Sequence, residues 1–344
     1  MATNTLRAAM RLSLAALLLA GAVQFAAAQT KPVVKLGVSG RPDQAFLELA
    51  YRRGYFAEQG LDVQYVQAGS GNEFVAPLAM NQLQVASGSP NASLFNALNR
   101  GIDIRIVADF AHLEGPDDGL VSIVVRKDLI QSGAVKTPAD LRGRTISLGL
   151  GRGQYSYMLT NTMLERAGLK WSDVEVRNLG FADSLAAMSN KAIDAGFMIE
   201  PLIAAAQKRG IAEILLKGGS VESGAHLSIL LFSPEFAKQG DLPVKFMTAY
   251  LKGARDYHDA FFLKKGQDAA IDLLIQHLPV KDREVWLTAM PQYTDLNGRL
   301  NVPDIKRQAE VYRKLGDVSG PMPNIDKQID TRFSEAAVKI LGAR

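Results

Sequence analysis

Apolar positions along the chain alternate between short, near-continuous runs and longer stretches with helical spacing. Val33–Val38 is a run of the kind found in a strand buried on both faces. Ala45–Gln59 carries apolar residues at helical spacing and stops at Gly60, which predicts one helix. Further strands are predicted at Val63–Val66, Leu83–Ala86 and Ile104–Ala108, and further helices at Phe74–Asn81 and Ala92–Arg100. This alternation predicts an α/β fold with a parallel or mixed sheet covered on both faces.

The same succession of elements returns about 110 residues further along the chain. Asp62-Val63 is matched by Asp173-Val174, and Pro90 is matched by Pro201. The second set of predicted strands is Thr145–Leu148, Val174–Val176, Ala195–Met198 and Ile214–Leu216, and the second set of helices is Tyr155–Arg166, Ser184–Asn190 and Leu202–Arg209. Two copies of one β/α unit predict two similar lobes, and a cleft between lobes is a common place for a ligand.

Two apolar segments of strand length join the two halves. Leu120–Val125 leaves the first unit and Leu227–Phe232 returns after the second, so we expect the second lobe to be inserted in the first through two crossover strands that act as a hinge. The domain prediction is lobe 1 at 29–122 and 227–344, and lobe 2 at 123–226. Helices are predicted after residue 240 at Val244–Phe262, Gln267–Leu278, Asp282–Met290, Pro303–Leu315 and Ile325–Leu341. We expect this helical tail to pack on lobe 1.

The amino terminus has the pattern of a secretory signal peptide. Arg7 and Arg11 precede the apolar stretch Leu12–Val23, and small residues at 26–28 precede Gln29. The alternative is a membrane anchor, but the apolar run is shorter than the roughly 20 residues that span a bilayer. We therefore predict a cleaved segment at 1–28 and a mature chain in the periplasm.

Composition narrows the class of partner. The 344 residues include 39 Lys and Arg against 35 Asp and Glu, and residues 1–28 hold two of the basic residues and no acidic one. The remaining chain is close to neutral and has no basic block, so nucleic acid is not an expected partner. The chain has no Cys, which excludes disulfides, thiolate chemistry and a lipid-anchored start.

Polar and glycine-rich turns follow several predicted strands, at the edge where ligands of α/β sheets bind. The candidate ligand-binding residues are Ser39, Gly40, Arg41, Ser70, Gly71, Asn72, Ser89 and Asn91 in the first half, and Arg152, Gly153, Gln154, Tyr155, Phe181, Asp183 and Glu200 in the second. Each turn precedes a helix, whose free N–H groups and positive dipole end favour an anion. Arg41 and Arg152 add formal positive charge, so an anion paired with Arg152 is the leading hypothesis.

Each of these residues also has a structural explanation. The Ser and Asn side chains could be helix caps and turn formers, and Phe181 could belong to the core. Arg152 could be a solvated loop residue. Glu200 could cap a helix or hold an amine or ring N–H of a ligand, in which case the ligand would be neutral or cationic.

The chain resembles the solute-binding proteins of ABC importers, specifically the sulfonate, taurine, nitrate and thiamine-precursor group called SsuA/THI5-like or NMT1-like. The resemblance rests on KLGVSG, on ELAYRRGYFAEQGLDVQYVQAGSGNE, on LRGRTISLGLGRGQYSYML and on AIDAGFMIEP. It implies a two-lobe periplasmic-binding-protein fold (type II), a small organic solute in the interlobe cleft and delivery to a membrane permease. It further implies a sulfonate or carboxylate as the ligand, with a thiamine-pyrimidine precursor or flavin as the alternative. We expect a monomer without cofactor or metal.

The turn Gly-Arg-Gly-Gln-Tyr at 151–155 departs from this family, whose members often carry Ser or Thr and His there, and this leaves the anion's identity open. Enzyme signatures are missing: the four His show no paired metal spacing, and there is no Gly-x-Ser-x-Gly elbow or Walker loop. Thiamine-pyrimidine synthases share the implied fold but use His- and Cys-rich features that this chain lacks. A binding protein for transport is therefore expected rather than an enzyme, and a sensory binding protein remains an alternative.

Overall fold

The computed structural model describes residues 31–39, 44–68 and 71–344, with the backbone alone at residues 71 and 72. The predicted signal peptide and the candidates Gly40, Arg41 and Ser70 lie outside the described residues. Within the described ranges, no helix combines the length and the apolar character that a membrane span requires.

Ten strands form two five-stranded mixed sheets in the described part of the chain. The strands are β1 (Val33–Val38), β2 (Asp62–Gln67), β3 (Val85–Gly88), β4 (Arg105–His112), β5 (Val121–Arg126), β6 (Thr145–Ser147), β7 (Glu175–Arg177), β8 (Ala195–Ile199), β9 (Ala212–Lys217) and β10 (His226–Phe232). The first sheet has the order β2-β1-β3-β10-β4 and the second has the order β7-β6-β8-β5-β9.

The two sheets are built to one plan. In each, three strands pair in parallel, and a fourth strand pairs antiparallel to both of its neighbours. That antiparallel strand is β10 in the first sheet and β5 in the second, and each follows directly after the chain has crossed from the other sheet. The internal repeat, the two lobes and the two crossover strands are thereby confirmed.

Helices cover both sheets and form most of the carboxyl-terminal third. They are α1 (Ala45–Arg52), α2 (Tyr55–Glu58), α3 (Val75–Ala79), α4 (Ala92–Asn99), α5 (Lys127–Gln131), α6 (Tyr155–Arg166), α7 (Phe181–Ser189), α8 (Leu202–Lys208), α9 (Gly218–Val221), α10 (Leu242–Phe261), α11 (Gln267–His277), α12 (Arg283–Thr288), α13 (Val302–Lys314), α14 (Ile325–Gln328) and α15 (Arg332–Leu341). Helix α6 has the predicted bounds, and most others differ by one to three residues at an end, where helices fray.

Two predicted helices are each split in the structure. The stretch Ala45–Gln59 breaks between α1 and α2 because Gly54 adopts a left-handed conformation with φ of 78°. The stretch Ile325–Leu341 breaks between α14 and α15, where Ile329 leaves the helix in extended conformation and forms a parallel bridge with Ile106 of β4. The prediction of one helix in each stretch was wrong because apolar spacing does not register a break this short.

The carboxyl-terminal helices pack on the first sheet's lobe, as predicted. Helix α10 lies against α1, and Gly253 comes so close that an added Cβ would lie 2.7 Å from the Phe46 carbonyl oxygen. Helix α13 reaches further, because Tyr312 shares a buried cluster with Phe95 of α4 and with apolar residues of the second lobe. The tail therefore supports the first lobe and also approaches the region between the sheets.

Candidate ligand-binding site

A cavity lies between the two sheets and encloses about 530 Å³ of space free of protein atoms, part of it open to solvent. The first sheet and its loops supply Ser89, Ala111, Leu227 and Ser228, the second sheet with its loops and helices supplies Val121, Leu150, Tyr155, Ser156, Phe181, Phe197, Ile199 and Glu200, and Leu120 and Gln292 complete the lining. The walls are mainly apolar, with a few convergent polar groups. That combination is typical of a small-molecule site.

Phe181 forms one wall of the cavity because a glycine in the neighbouring loop leaves room for its ring. Gly149 has φ of 71°, and an added Cβ would lie 2.3 Å from Cε1 of the Phe181 ring. The ring also packs against Phe197 of β8, with centroids 6.3 Å apart. Gly149 thus allows an aromatic face at the start of α7 to line the cavity.

Two buried hydroxyl groups at the start of α6 have no hydrogen-bond partner within the described residues. They are Tyr155 Oη and Ser156 Oγ, and both residues line the cavity. Burial raises the pKa of Tyr155 well above its ordinary value, so this phenol stays protonated and can donate. A buried polar group without a partner costs roughly 1–3 kcal/mol, and the expected compensation here is a bound molecule.

Glu200 is the acidic side chain of the cavity and is only 8 % exposed. Its Oε2 accepts a hydrogen bond from the Ala204 backbone N at 3.0 Å, and its Oε1 accepts one from the Met290 backbone N at 3.4 Å. Burial raises the pKa of Glu200 to about 7, against the opposing effect of these two N–H donors. The carboxyl group therefore changes protonation near neutral pH.

No Lys, Arg or His is among the described residues that line this cavity. The Arg152 side chain is 63 % exposed and turned toward another partner. Its Nε donates to Asp317 Oδ1 at 2.6 Å and its Nη2 donates to the Leu315 carbonyl oxygen at 3.1 Å, while its guanidinium lies over the Tyr157 ring. These contacts connect the loop before α6 to the turn after α13.

Neighbouring residues of the same loop also contact the first lobe. The Gly153 carbonyl oxygen accepts from the Ala92 backbone N at 3.1 Å, and Asn91 Nδ2 donates to Gln154 Oε1 at 3.5 Å. Asn91 additionally caps α4 by accepting from the Leu94 backbone N at 2.9 Å. Asn91, Gly153 and Gln154 thus lie at an interlobe contact and do not line the cavity.

The remaining candidates are spread between the cavity and its surroundings. Ser89 lines the cavity and donates from Oγ to the Leu227 carbonyl oxygen at 2.7 Å. Ser39 directly follows β1, and its buried Oγ has no partner in the described part of the chain. Asp183 is exposed in the first turn of α7, and Gly71 and Asn72 begin a short 3₁₀ helix. Of the candidates that the structure describes, four line the cavity: Ser89, Tyr155, Phe181 and Glu200.

Comparison with known proteins places the chain in a family. The sequence model of the family described as "NMT1/THI5 like" matches residues 41–260. The chain belongs to the NMT1/THI5-like family. A protein of Brucella abortus (strain 2308), named "Putative binding protein", is 24 % identical over 234 residues, which cover 67 % of each chain.

Two solved structures illustrate the fold of this NMT1/THI5-like chain. The alkanesulfonate-binding protein SsuA from Xanthomonas axonopodis pv. citri, bound to MOPS, is 19 % identical with a TM-score of 0.68, over 87 % of this chain and 98 % of its own. The periplasmic nitrate-binding protein NrtA from Synechocystis PCC 6803 is 13 % identical with a TM-score of 0.73, over 91 % and 90 %. At these identities the likeness establishes the two-lobe periplasmic-binding-protein fold.

Sequence reasoning missed most of the cavity's apolar wall in this family member. Leu120, Val121 and Leu227 belong to the segments recognised as crossovers, but a strand pattern does not show which residues face a cavity. Ser156 directly follows the candidate Tyr155 and could have been predicted together with it. Gln292, which reaches the cavity from the tail and donates from Nε2 to the Phe110 carbonyl oxygen at 2.7 Å, had no sequence signal.

Proposed function

We propose that this chain is the periplasmic solute-binding component of an ABC importer, and that it captures a small organic solute between its lobes for delivery to a permease. The observation that carries the proposal is the cavity between the two sheets, where Tyr155 and Ser156 present buried hydroxyls that have no partner among the described residues. Membership of the NMT1/THI5-like family and the fold support it. Binding without catalysis is part of the proposal, and a relative named as a binding protein agrees with it.

The proposal includes the arrangement read from the sequence. Residues 1–28 act as a signal peptide, lobe 1 comprises 29–122 and 227–344, and lobe 2 comprises 123–226. The crossings before β5 and β10 serve as the hinge, and the cavity closes around the solute. Intact-mass measurement of the periplasmic protein tests whether the mature chain starts at Gln29.

The experiment for the function is a thermal-shift screen of the purified mature chain against sulfonates, nitrate, aromatic carboxylates, pyrimidines and flavins. A true ligand at a hundred times its Kd should stabilise the protein by about 2.7 kcal/mol. Ser228 lines the cavity, so Ser228→Phe should block it and abolish the shift. Ser132→Phe is the matched control, since this exposed serine also bonds a backbone carbonyl but lies away from the cavity. Equal binding by Ser228→Phe would refute this site.

The charge of the solute is the finer question. An anion is supported by the starts of α6 and α7 at the cavity, and by the alkanesulfonate and nitrate that the two similar proteins are named for binding. The position of Arg152 does not support it, because this side chain is paired with Asp317 away from the lining. We therefore propose that Arg152 links the two lobes in the closed form and does not bind the solute.

Arg152→Ala should accordingly weaken solute binding by no more than about fivefold, since an exposed ion pair contributes about 0.2–1 kcal/mol. Direct pairing with an anion would instead cost one to two decades. Arg332→Ala is the matched control, because Arg332 is equally exposed and bonds one carboxylate, one carbonyl and one ring within the tail and the first lobe. By solution scattering, the solute-free Arg152→Ala protein should have a larger radius of gyration than the Arg332→Ala protein. A loss of affinity by tenfold or more without a change in the scattering profile would restore Arg152 as the anion's partner.

A further inference from the structure

Helix α13 of the tail is attached at both of its ends to the first sheet and its helices. Its 13 residues span about 20 Å, and the chain continues from it into the turn at Asp317. At that turn, Asn96 Nδ2 of α4 donates to the Asp317 carbonyl oxygen at 2.8 Å, and the Ser319 backbone N donates to Asn96 Oδ1 at 3.0 Å. At the start of α13, Asp304 Oδ2 accepts from the His226 backbone N of β10 at 2.7 Å. The helix therefore belongs to the first lobe.

The first half of α13 also contacts the second lobe, through a bidentate ion pair. Arg307 donates from Nη1 to Glu222 Oε1 at 3.0 Å and from Nη2 to Glu222 Oε2 at 2.9 Å. Thr162 Oγ1 of α6 lies 3.3 Å from the same Oε1, so the Glu222 carboxylate is packed against the second lobe. The Glu222 side chain is only 5 % exposed. A bidentate pair with one partner buried contributes more than an exposed surface pair.

The turn after α13 makes a second contact with the same lobe. There Arg152 donates from Nε to Asp317 Oδ1 at 2.6 Å and from Nη2 to the Leu315 carbonyl oxygen at 3.1 Å. Between the two ion pairs, the fully buried Tyr312 packs in the apolar cluster that includes residues of the second lobe. One helix thus carries two ion pairs and an apolar contact across the boundary between the lobes. All three contacts are made within the chain, so they do not require a solute.

We propose that α13 is a clasp that holds the lobes closed in the absence of a solute, with Arg307 and Asp317 as its two polar attachments to the second lobe. The inference goes beyond the proposed function, because it concerns the solute-free chain and is independent of which solute binds. The clasp restricts entry to the cavity, since a solute enters only after both ion pairs break. It also raises the affinity for any solute that the closed form holds, because less free energy is then spent on closing.

A purely structural role for α13 predicts a different outcome. If Arg307 and Asp317 only fasten the tail, removal of their second-lobe partners should lower stability and leave the distance between the lobes unchanged. If α13 is a clasp, the same removal should lengthen that distance while the tail stays attached to the first lobe. Glu222→Gln suits this comparison, because it keeps the size of the side chain and leaves Arg307 paired with Asp304 Oδ1, at 2.7 Å.

The test measures the distance between the lobes in the solute-free protein. Strands β2 and β7 are the edge strands on the side of each sheet away from the crossings, so the distance between their ends should respond most to opening. The chain has no Cys, and Gln67→Cys and Arg177→Cys provide one exposed label site at the end of each strand. Double electron–electron resonance between two spin labels then gives the distribution of closed and open distances.

The labelled protein should be mainly closed, and a variant with both Arg152→Ala and Glu222→Gln should open. The ratio of closed to open protein should fall by about fivefold or more, because two ion pairs are lost together. Each change alone should shift the distribution less and in the same direction. Circular dichroism checks that the variants are folded, and Glu222→Gln alone decides the test if the combined variant is not.

The matched control removes two ion pairs that α13 makes within the tail. Asp326→Asn breaks the bond from Lys306 Nζ at 2.7 Å, and Glu310→Gln breaks the bond from Arg313 Nη2 at 2.9 Å. A protein with both changes loses as much charge pairing on the same helix, but none of it with the second lobe. Its distance distribution should match that of the unsubstituted protein.

Three results would overturn the clasp. They are an unchanged distribution when the second-lobe partners are replaced, an equal shift in the control, and a solute-free unsubstituted protein that is already open. Each of them leaves the proposed function intact, because the thermal-shift screen tests solute binding separately. Failure of that screen would in turn leave the solute-free distances unaffected.

Discussion

Asp109→Asn should lower the free energy of unfolding by about 3–5 kcal/mol, the usual cost of breaking a buried charge pair. Asp109 is fully buried in β4. Its Oδ1 accepts from His226 Nδ1 at 2.9 Å, and its Oδ2 accepts from His112 Nδ1 at 2.7 Å and from the Asp295 backbone N at 2.7 Å. An asparagine has one acceptor oxygen, so its amide nitrogen would face another donor. Chemical denaturation followed by circular dichroism measures the loss.

Rotation of the new amide group cannot avoid this loss, because the tautomer of His226 also places a donor against residue 109. The Asn301 backbone N donates to His226 Nε2 at 2.8 Å, so the proton of the neutral ring lies on Nδ1 and points at Asp109. Glu114→Gln is the control, because Glu114 contacts the other ring nitrogen of His112 and its side chain is 61 % exposed. The control should change stability by less than about 0.5 kcal/mol. A similar loss in both variants would contradict the assignment of the energy to Asp109.

The same cluster should also determine how the stability of the protein changes with pH. Burial alone would lower the pKa of His112, but the hydrogen bonds that its ring donates to Asp109 and Glu114 outweigh this effect and raise the pKa to about 9. Stability from this histidine is therefore complete below its ordinary pKa of 6.5 and is lost as the pH rises through about 9. Asp109→Asn should flatten the decline of stability over that window.

The hydrogen-bonded cluster around Asp109 connects both crossings between the sheets to the tail. His112 ends β4 just before the first crossing, His226 begins β10 just after the second, and Asn301 and Asp295 come from the tail. One buried carboxylate therefore fixes the ends of both crossovers on the same side.

The two-lobe arrangement followed from the sequence because it depends on a repeat that spans the whole chain. Landmarks such as Asp62-Val63 and Asp173-Val174 repeat at a nearly constant offset, and repeated spacing survives where individual residues differ. The short breaks were not predictable in the same way. Gly54 is one of many glycines, and only its left-handed φ separates α1 from α2.

Site residues were predictable only where a turn carries them. Tyr155 and Phe181 begin the helices that follow β6 and β7, and Glu200 directly follows β8, so all three lie at the sheet edge where ligands of α/β sheets bind. The direction of a flexible side chain does not follow from its position in a turn, and Arg152 shows this: its loop was placed correctly, but its partner Asp317 lies 165 residues away in the sequence. Contacts from the tail, such as Gln292, depend on packing that no local pattern encodes.

Gly219→Ala should lower the free energy of unfolding by about 2–3 kcal/mol, because the two crossing segments touch at this glycine. The Gly219 backbone N donates to the Asp118 carbonyl oxygen at 2.9 Å, and an added Cβ would lie 1.9 Å from the Gly115 carbonyl oxygen. A backbone atom at that distance cannot move away as a flexible side chain can. The two crossing segments must therefore separate to make room for the added Cβ. Gly115→Ala is the matched control in the opposite segment, since nothing lies within 4 Å of its added Cβ, and its effect should stay within about 0.5 kcal/mol. Urea denaturation of the two variants compares them directly, and a silent Gly219→Ala would mean that the crossings are not in contact in solution.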